Sequence, residues 1–85
     1  MSIQDAVDSA YRIRSSAEEA QRRTAVFADS LRTHSTRLAG TVRGSRTGEQ
    51  AVHEVNDAER AARECAAALL SLRANVDTFI SDITK

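Results

Sequence analysis

The sequence predicts an all-α fold, an antiparallel hairpin of two long, coiled-coil-like helices, and we expect two such hairpins to pair into a four-helix bundle. Three observations predict this class. The 85 residues include no proline and only three aromatic side chains, which is typical of long helices. All three glycines fall between residues 40 and 48, near the middle of the chain. Apolar residues recur with a seven-residue period on both sides of these glycines.

The first helix is expected from about residue 3 to residue 39 of a single domain that spans residues 1–85. Ser2 followed by Asp5 resembles a capping box, in which the serine side chain accepts a hydrogen bond from a first-turn amide. Counted from Ile3, mostly apolar or small residues fill two heptad positions, a and d. The a positions are Ile3, Ala10, Ala17, Thr24, Leu31 and Leu38, and the d positions are Ala6, Ile13, Ala20, Phe27 and His34.

Residues 40–47 are expected to reverse the chain. Gly40 is the predicted left-handed stop of the first helix. Thr47 is the predicted N-cap of the second, with Gln50 completing a capping box. The phosphate-loop pattern GxxxxGK[ST] is absent, so we interpret this segment as a plain turn. Its predicted turn residues are Leu38, Gly40, Arg43, Gly44, Arg46, Thr47 and Gly48.

The second helix is expected from about residue 48 to residue 84. Its a positions are Val55, Ala62, Leu69, Val76 and Ile83, and its d positions are Ala51, Ala58, Cys65, Leu72 and Phe79. Because the connection is short, the two helices should be antiparallel neighbours. A hairpin symmetric about Gly44 and Ser45 would place Leu31 opposite Ala58. The sequence therefore predicts an a/d seam in which large residues face alanines.

A second apolar stripe flanks this predicted seam. An isolated two-helix hairpin is marginally stable, and small helical scaffolds often oligomerise. We therefore expect the stripe to be the surface on which two hairpins pack, although scattered apolar exposure is also common on protein surfaces. The predicted interface residues are Val7, Tyr11, Ala28, Val52, Ala66, Leu70 and Ile80.

No catalytic, cofactor-binding or metal-binding residue is predicted, and we do not expect an enzyme. So short a chain leaves little room for a deep substrate pocket. His34 and His53 should lie near each other, but no further ligand is placed to complete a metal shell. Cys65 is expected to be a small buried filler.

The charge balance disfavours long-range attraction to nucleic acid or to an anionic membrane, because twelve basic and twelve acidic residues cancel. No segment has the roughly 18 apolar residues of a membrane span, and the start of the chain lacks a signal-peptide pattern. We expect a protein that is cytoplasmic as synthesised, with any export following a route that needs no cleaved signal.

Leu38-Ala39-Gly40, in the middle of a short helix-turn-helix chain, resembles the turn of the WXG family of type VII (ESX) secretion substrates and their LXG-associated relatives. Leu38 stands where that family has tryptophan, and Tyr11 is followed four residues later by Ser15, so the export pattern YxxxD/E is missing. The resemblance implies a hairpin that dimerises, or pairs with a helical domain of a larger effector, as a secretion partner or adaptor.

Two other functions remain open from the sequence. Six arginines and a single acid lie between residues 22 and 46, so a nucleic-acid-binding or anion-binding hairpin could use Arg43 and Arg46 at its tip. An immunity or antitoxin-like protein could instead mask an enzyme with the acidic second helix. Pairing of charges between the helices explains the same arginines without any ligand.

Overall fold

The computed structural model describes residues 2–85 and confirms the predicted all-α hairpin. Helix α1 (Ile3–Thr41) and helix α2 (Arg46–Ile83) pack against each other along their lengths. Arg14 contacts Asp77 near one end and Ser35 contacts Asn56 near the other, so the helices are antiparallel. The Cα atoms span 62 × 18 × 13 Å. Within residues 2–85, neither helix combines the length and apolar character that crossing a membrane requires.

A serine is the N-cap of each helix. Ser2 Oγ accepts a hydrogen bond from the Asp5 amide at 3.1 Å, which confirms the first predicted cap. The second predicted cap is wrong, because Ser45 is the N-cap of α2 and its Oγ accepts from the Gly48 amide at 3.1 Å. Thr47 lies inside the first turn of α2, which starts two residues earlier than expected.

The left-handed residue of the turn is Gly44, and the prediction for Gly40 is wrong. Gly40 lies inside α1, whose C-cap is Val42, with the Val42 amide donating to the Leu38 carbonyl at 3.0 Å. Gly44 has φ 83° and is the only residue of the described chain with positive φ. The Ser45 amide donates to the Val42 carbonyl at 2.9 Å, so residues 42–45 form a four-residue turn. Its third position requires glycine when φ is positive, as in a type II turn.

Gly48 allows the two helix ends to approach closely. A Cβ atom built on Gly48 would lie 2.5 Å from Val42 Cβ, far inside van der Waals contact. A Cβ on Gly40 would meet nothing within 4 Å. The turn therefore needs glycine at two of its three glycine positions, one for backbone conformation and one for space.

The seam between the helices is built from a and e positions, not from a and d. The a residues Ala10, Ala17 and Ala62 are buried between the helices, as predicted. The d prediction is wrong, since Phe27 keeps 57% of its surface exposed while its neighbour Ala28, an e residue, has 0%.

The physical reason lies in the small and polar residues of the e positions. Alanine at a and e lets two helix backbones approach closely, which gives dense packing without large side chains. Polar e residues such as Arg14 and Arg73 keep their charged heads at the edge of the seam and reach partners on the other helix. A prediction from periodicity considers hydrophobicity alone. It therefore places the d positions in the seam beside the a positions, where the structure has the e positions.

Candidate partner-binding face

The displaced d residues share one side of the hairpin. Ile13 and Ala20 of α1 line the same groove as Leu72 of α2. Because the helices are antiparallel and both d stripes flank an a stripe in the same sense, the stripes stay on that side along the whole rod. We call this surface the outer apolar face. It consists of Ile13, Ala20, Phe27, His34, Ala58, Cys65, Leu72 and Phe79.

The outer apolar face keeps four large apolar side chains partly in contact with water. Ile13, Phe27, Leu72 and Phe79 remain 41–57% exposed. Four of the six buried hydrophobic residues of the described chain are alanines. Contiguous exposure of large apolar side chains marks interaction surfaces in soluble proteins. The hairpin by itself therefore leaves a hydrophobic surface of large side chains about half exposed to water.

The opposite side, which we call the polar face, joins the helices through charged and amide groups. Arg14 Nε lies 2.8 Å from Asp77 Oδ1, and an Arg73 N–H donates to Gln21 Oε1 at 2.8 Å. An Arg63 N–H donates to Asp29 Oδ1 at 3.1 Å. Two further contacts on this side join Arg73 to Glu18 and Ser35 to Asn56. All these cross-helix contacts involve e, b or f positions, so the two sides of the rod differ in chemistry.

The arginines of the polar face differ in how well they are hydrogen-bonded to carboxylates. Hydrogen bonds to Glu59 and then to Asp29 raise the pKa of Arg63 above its usual value, so Arg63 stays cationic in any ordinary buffer. The Nε atoms of Arg14 and Arg73 are buried, and neither donates a well-aligned hydrogen bond within residues 2–85. The short Arg14–Asp77 contact is therefore an ion pair with poor hydrogen-bond geometry.

The structure separates the seven predicted interface residues, and three of them offer almost no surface to a second molecule. Val7, Ala28 and Ile80 are buried in the seam. Val52 and Ala66 are half-buried at seam e positions. A side chain between the two helices offers little surface to a second molecule. Tyr11 and Leu70 are about half exposed, but as b residues they lie on the polar face.

The turn forms a basic tip. Arg43 and Arg46 are exposed, and within residues 2–85 neither forms an ion pair. Glu49 is the nearest acid along the chain, and its Oε1 accepts from the Gly44 amide at 3.5 Å. The tip therefore presents two unneutralised guanidinium groups.

The histidines and the cysteine lie at the surface. His34 and His53 are both exposed. Cys65 is exposed on the outer apolar face, so its prediction as a buried filler is wrong. No three His, Cys, Asp or Glu residues among residues 2–85 are placed to hold a metal ion.

Comparison of the chain with protein families, with curated proteins and with solved structures finds no match. The class of protein is therefore defined by the fold and its surfaces alone: a helical hairpin with one polar and one apolar side. Sequence reasoning found the residues of the outer apolar face but assigned them to the internal seam. The e positions mix apolar residues such as Val7 and Ile80 with polar ones such as Arg73, so no signal in the sequence marks them as part of the seam.

Proposed function

We propose that this protein is a non-enzymatic interaction module that binds a helical protein partner through the outer apolar face. One observation carries the proposal: the hairpin closes on its a and e residues and leaves Ile13, Phe27, Leu72 and Phe79 about half exposed on one side. Amphipathic helices bury such stripes against other helices, and a second helical pair on this face would give a four-helix bundle.

The rod offers enough surface for a stable complex if a partner covers one whole side. That side has a projected area of roughly 1,100 Å² from its 62 × 18 Å extents, with the outer apolar face along its central part, against the ~800 Å² per partner of a standard interface. Each large apolar side chain contributes about 1.5–3 kcal/mol when fully buried, so covering four half-exposed ones is worth on the order of 4 kcal/mol. A partner with a matching apolar stripe would gain from both surfaces.

The hairpin architecture also supports a role like that of the WXG proteins in type VII secretion, as a partner or adaptor. The missing YxxxD/E pattern favours a protein that travels with, or prepares, an effector that carries its own signal. One feature departs from the resemblance, because Leu38-Ala39-Gly40 lies within α1 and not in the turn.

Two leucines make a matched test of the proposed face. Leu72 lies on the outer apolar face and Leu70 on the polar face, and they are similarly exposed. A photo-cross-linking amino acid at position 72, in cells that produce the protein, should yield one discrete cross-linked product. The same group at position 70 should yield little. Equal cross-linking at both positions, or none at position 72, would refute the proposed function.

The unpaired arginines of the tip favour a second candidate, binding of nucleic acid or another polyanion. Such binding would weaken steeply with salt, because released counterions drive it. Replacing Arg43 and Arg46 with glutamine should then abolish binding to DNA or RNA at 50 mM salt. Absence of binding by the unaltered protein at that salt would eliminate this candidate.

A further inference from the structure

We infer that the occupant of the outer apolar face is a second copy of this chain, stacked face to face with both turns at the same end. This inference rests on the proposed function and adds to it the identity and orientation of the partner. The charged residues that border the face are the observation that carries it.

Each helix has a rim, the g positions that lie beside its d stripe on the outer edge of the face. All rim residues are exposed. The α1 rim contains two arginines and no acid, whereas the α2 rim contains two acids and no base. The α1 rim is Ser9, Ser16, Arg23, Ser30 and Arg37, and the α2 rim is Glu54, Ala61, Ala68, Asn75 and Asp82.

Two symmetric arrangements bring two such faces together. With both turns at the same end, α1 of one copy lies over α2 of the other, so each basic rim meets an acidic rim. With the turns at opposite ends, α1 lies over α1 and α2 over α2, so like charges meet. Complementary potentials select the orientation of an interface, and like-charge contacts disfavour the alternative. The rim charges therefore select the same-end arrangement.

One pair of residues is matched in height along the rod. Ser35 and Asn56 contact each other across the seam and define a common level. Arg37 follows Ser35 by two positions and Glu54 precedes Asn56 by two, so in antiparallel helices these two also share a level. When two copies stack with both turns at the same end, residues at one level in one copy lie opposite residues at the same level in the other. Arg37 of each copy then faces Glu54 of the other, giving two intermolecular ion pairs.

Within residues 2–85, neither Arg37 nor Glu54 forms an ion pair, so both charges are free for this role. The opposite-end arrangement would instead bring Arg23, near the middle of α1, against its own copy. It would also bring Glu54 toward Asp82 at the ends of α2. Neither contact is favourable.

Side-chain sizes agree with a second copy on this face. In the same-end arrangement Leu72 lies over Ala20, with which it already shares a groove, and Phe27 lies over Cys65. Large residues then meet small ones twice at each of these two levels, as close packing requires, whereas Ile13 lies over Phe79 further from the turn. The opposite-end arrangement would also pair large with small, for example Phe27 with Ala20. Side-chain sizes are thus complementary at the middle of the face in either orientation, and the charges decide the orientation.

Charge reversal at the matched pair tests the inference. Sedimentation equilibrium at low salt should show the unaltered protein as a dimer of 9.3 kDa chains. Arg37→Glu alone and Glu54→Arg alone should each raise the dimer Kd by roughly tenfold, since each variant turns two attractions into two repulsions. An equimolar mixture of the two variants should restore the original Kd, because every pair at the interface is again opposite in charge. Circular dichroism should show unchanged helix content in both variants.

Three outcomes would overturn the inference. In an opposite-end dimer Arg37→Glu would be neutral, Glu54→Arg would strengthen association beside Asp82, and mixing would restore nothing. A monomeric protein at about 100 μM, well above the Kd of most specific complexes, would exclude the second copy. The cross-link at position 72 separates failure of this inference from failure of the proposed function. If only the self-association were wrong, that cross-link would still form, but with a different protein.

Discussion

Ala28→Leu should destabilise the hairpin strongly, because Ala28 is fully buried between the helices. Leucine adds three carbon atoms at a point where the helix backbones are close. Overpacking of this kind costs about 1–3 kcal/mol. At roughly 4–8 °C per kcal/mol for a domain of this size, the thermal midpoint should fall by several degrees or more.

Ala67→Leu is the matched control, since Ala67 is exposed at an outward position of α2 away from both the seam and the outer apolar face. It should change stability by less than about 0.5 kcal/mol. The measurement is thermal and urea unfolding of both variants, followed by circular dichroism. Equal stability of the two variants would refute the a/e seam. A larger loss of stability from Ala20→Leu, at a predicted d position, than from Ala28→Leu would refute it as well.

Further predictions concern the turn and can be checked by the same unfolding measurements. Gly40→Ala should stabilise by about 0.5–1 kcal/mol, because Gly40 is helical and has free space around it. Gly44→Ala should cost about 1 kcal/mol through its positive φ, and Gly48→Ala about 1–3 kcal/mol through its overlap with Val42. Ser45→Ala should cost about 1 kcal/mol as the lost N-cap, whereas Thr47→Ala should be nearly neutral. The opposite order within either set would contradict the observed turn.

The fold class was predictable because its signals are local and repeat many times. The a stripe recurs along both helices, Ser2 is a strong cap, and three glycines interrupt an otherwise continuous helical pattern. These features agree with one another, which is the condition under which sequence reasoning is dependable. A hairpin follows from them with no knowledge of the tertiary contacts.

Hydrophobicity did not predict which residues beside the a positions, the d or the e residues, lie between the helices. The d residues are more apolar than the e residues, which include Arg14, Glu59 and Arg73, so any measure of periodicity places the d residues inside. The chain instead packs alanines closely and adds cross-helix contacts such as Arg63 with Asp29. Those contacts depend on the relative register of two distant segments, which a single sequence does not specify. The same error explains why predicted interface residues such as Val7 and Ala28 lie in the seam.

The roles of the turn glycines were predicted wrongly for a related reason. Gly40, Gly44 and Gly48 are alike in the sequence, and each could end a helix, adopt positive φ or allow close approach. The positive φ of Gly44 and the approach of Val42 to Gly48 distinguish them, and both exist only in the folded hairpin.

Sedimentation equilibrium of Leu72→Asp and Leu70→Asp, beside the unaltered protein, tests most directly whether the outer apolar face holds the partner. Both changes place a carboxylate at a similarly exposed leucine, and the two positions lie on opposite sides of the rod. We expect the unaltered protein and Leu70→Asp to sediment at twice 9.3 kDa and Leu72→Asp at 9.3 kDa, with helix content retained in all three. A dimer that survives Leu72→Asp but dissociates with Leu70→Asp would contradict the account, because the partner would then lie on the polar face.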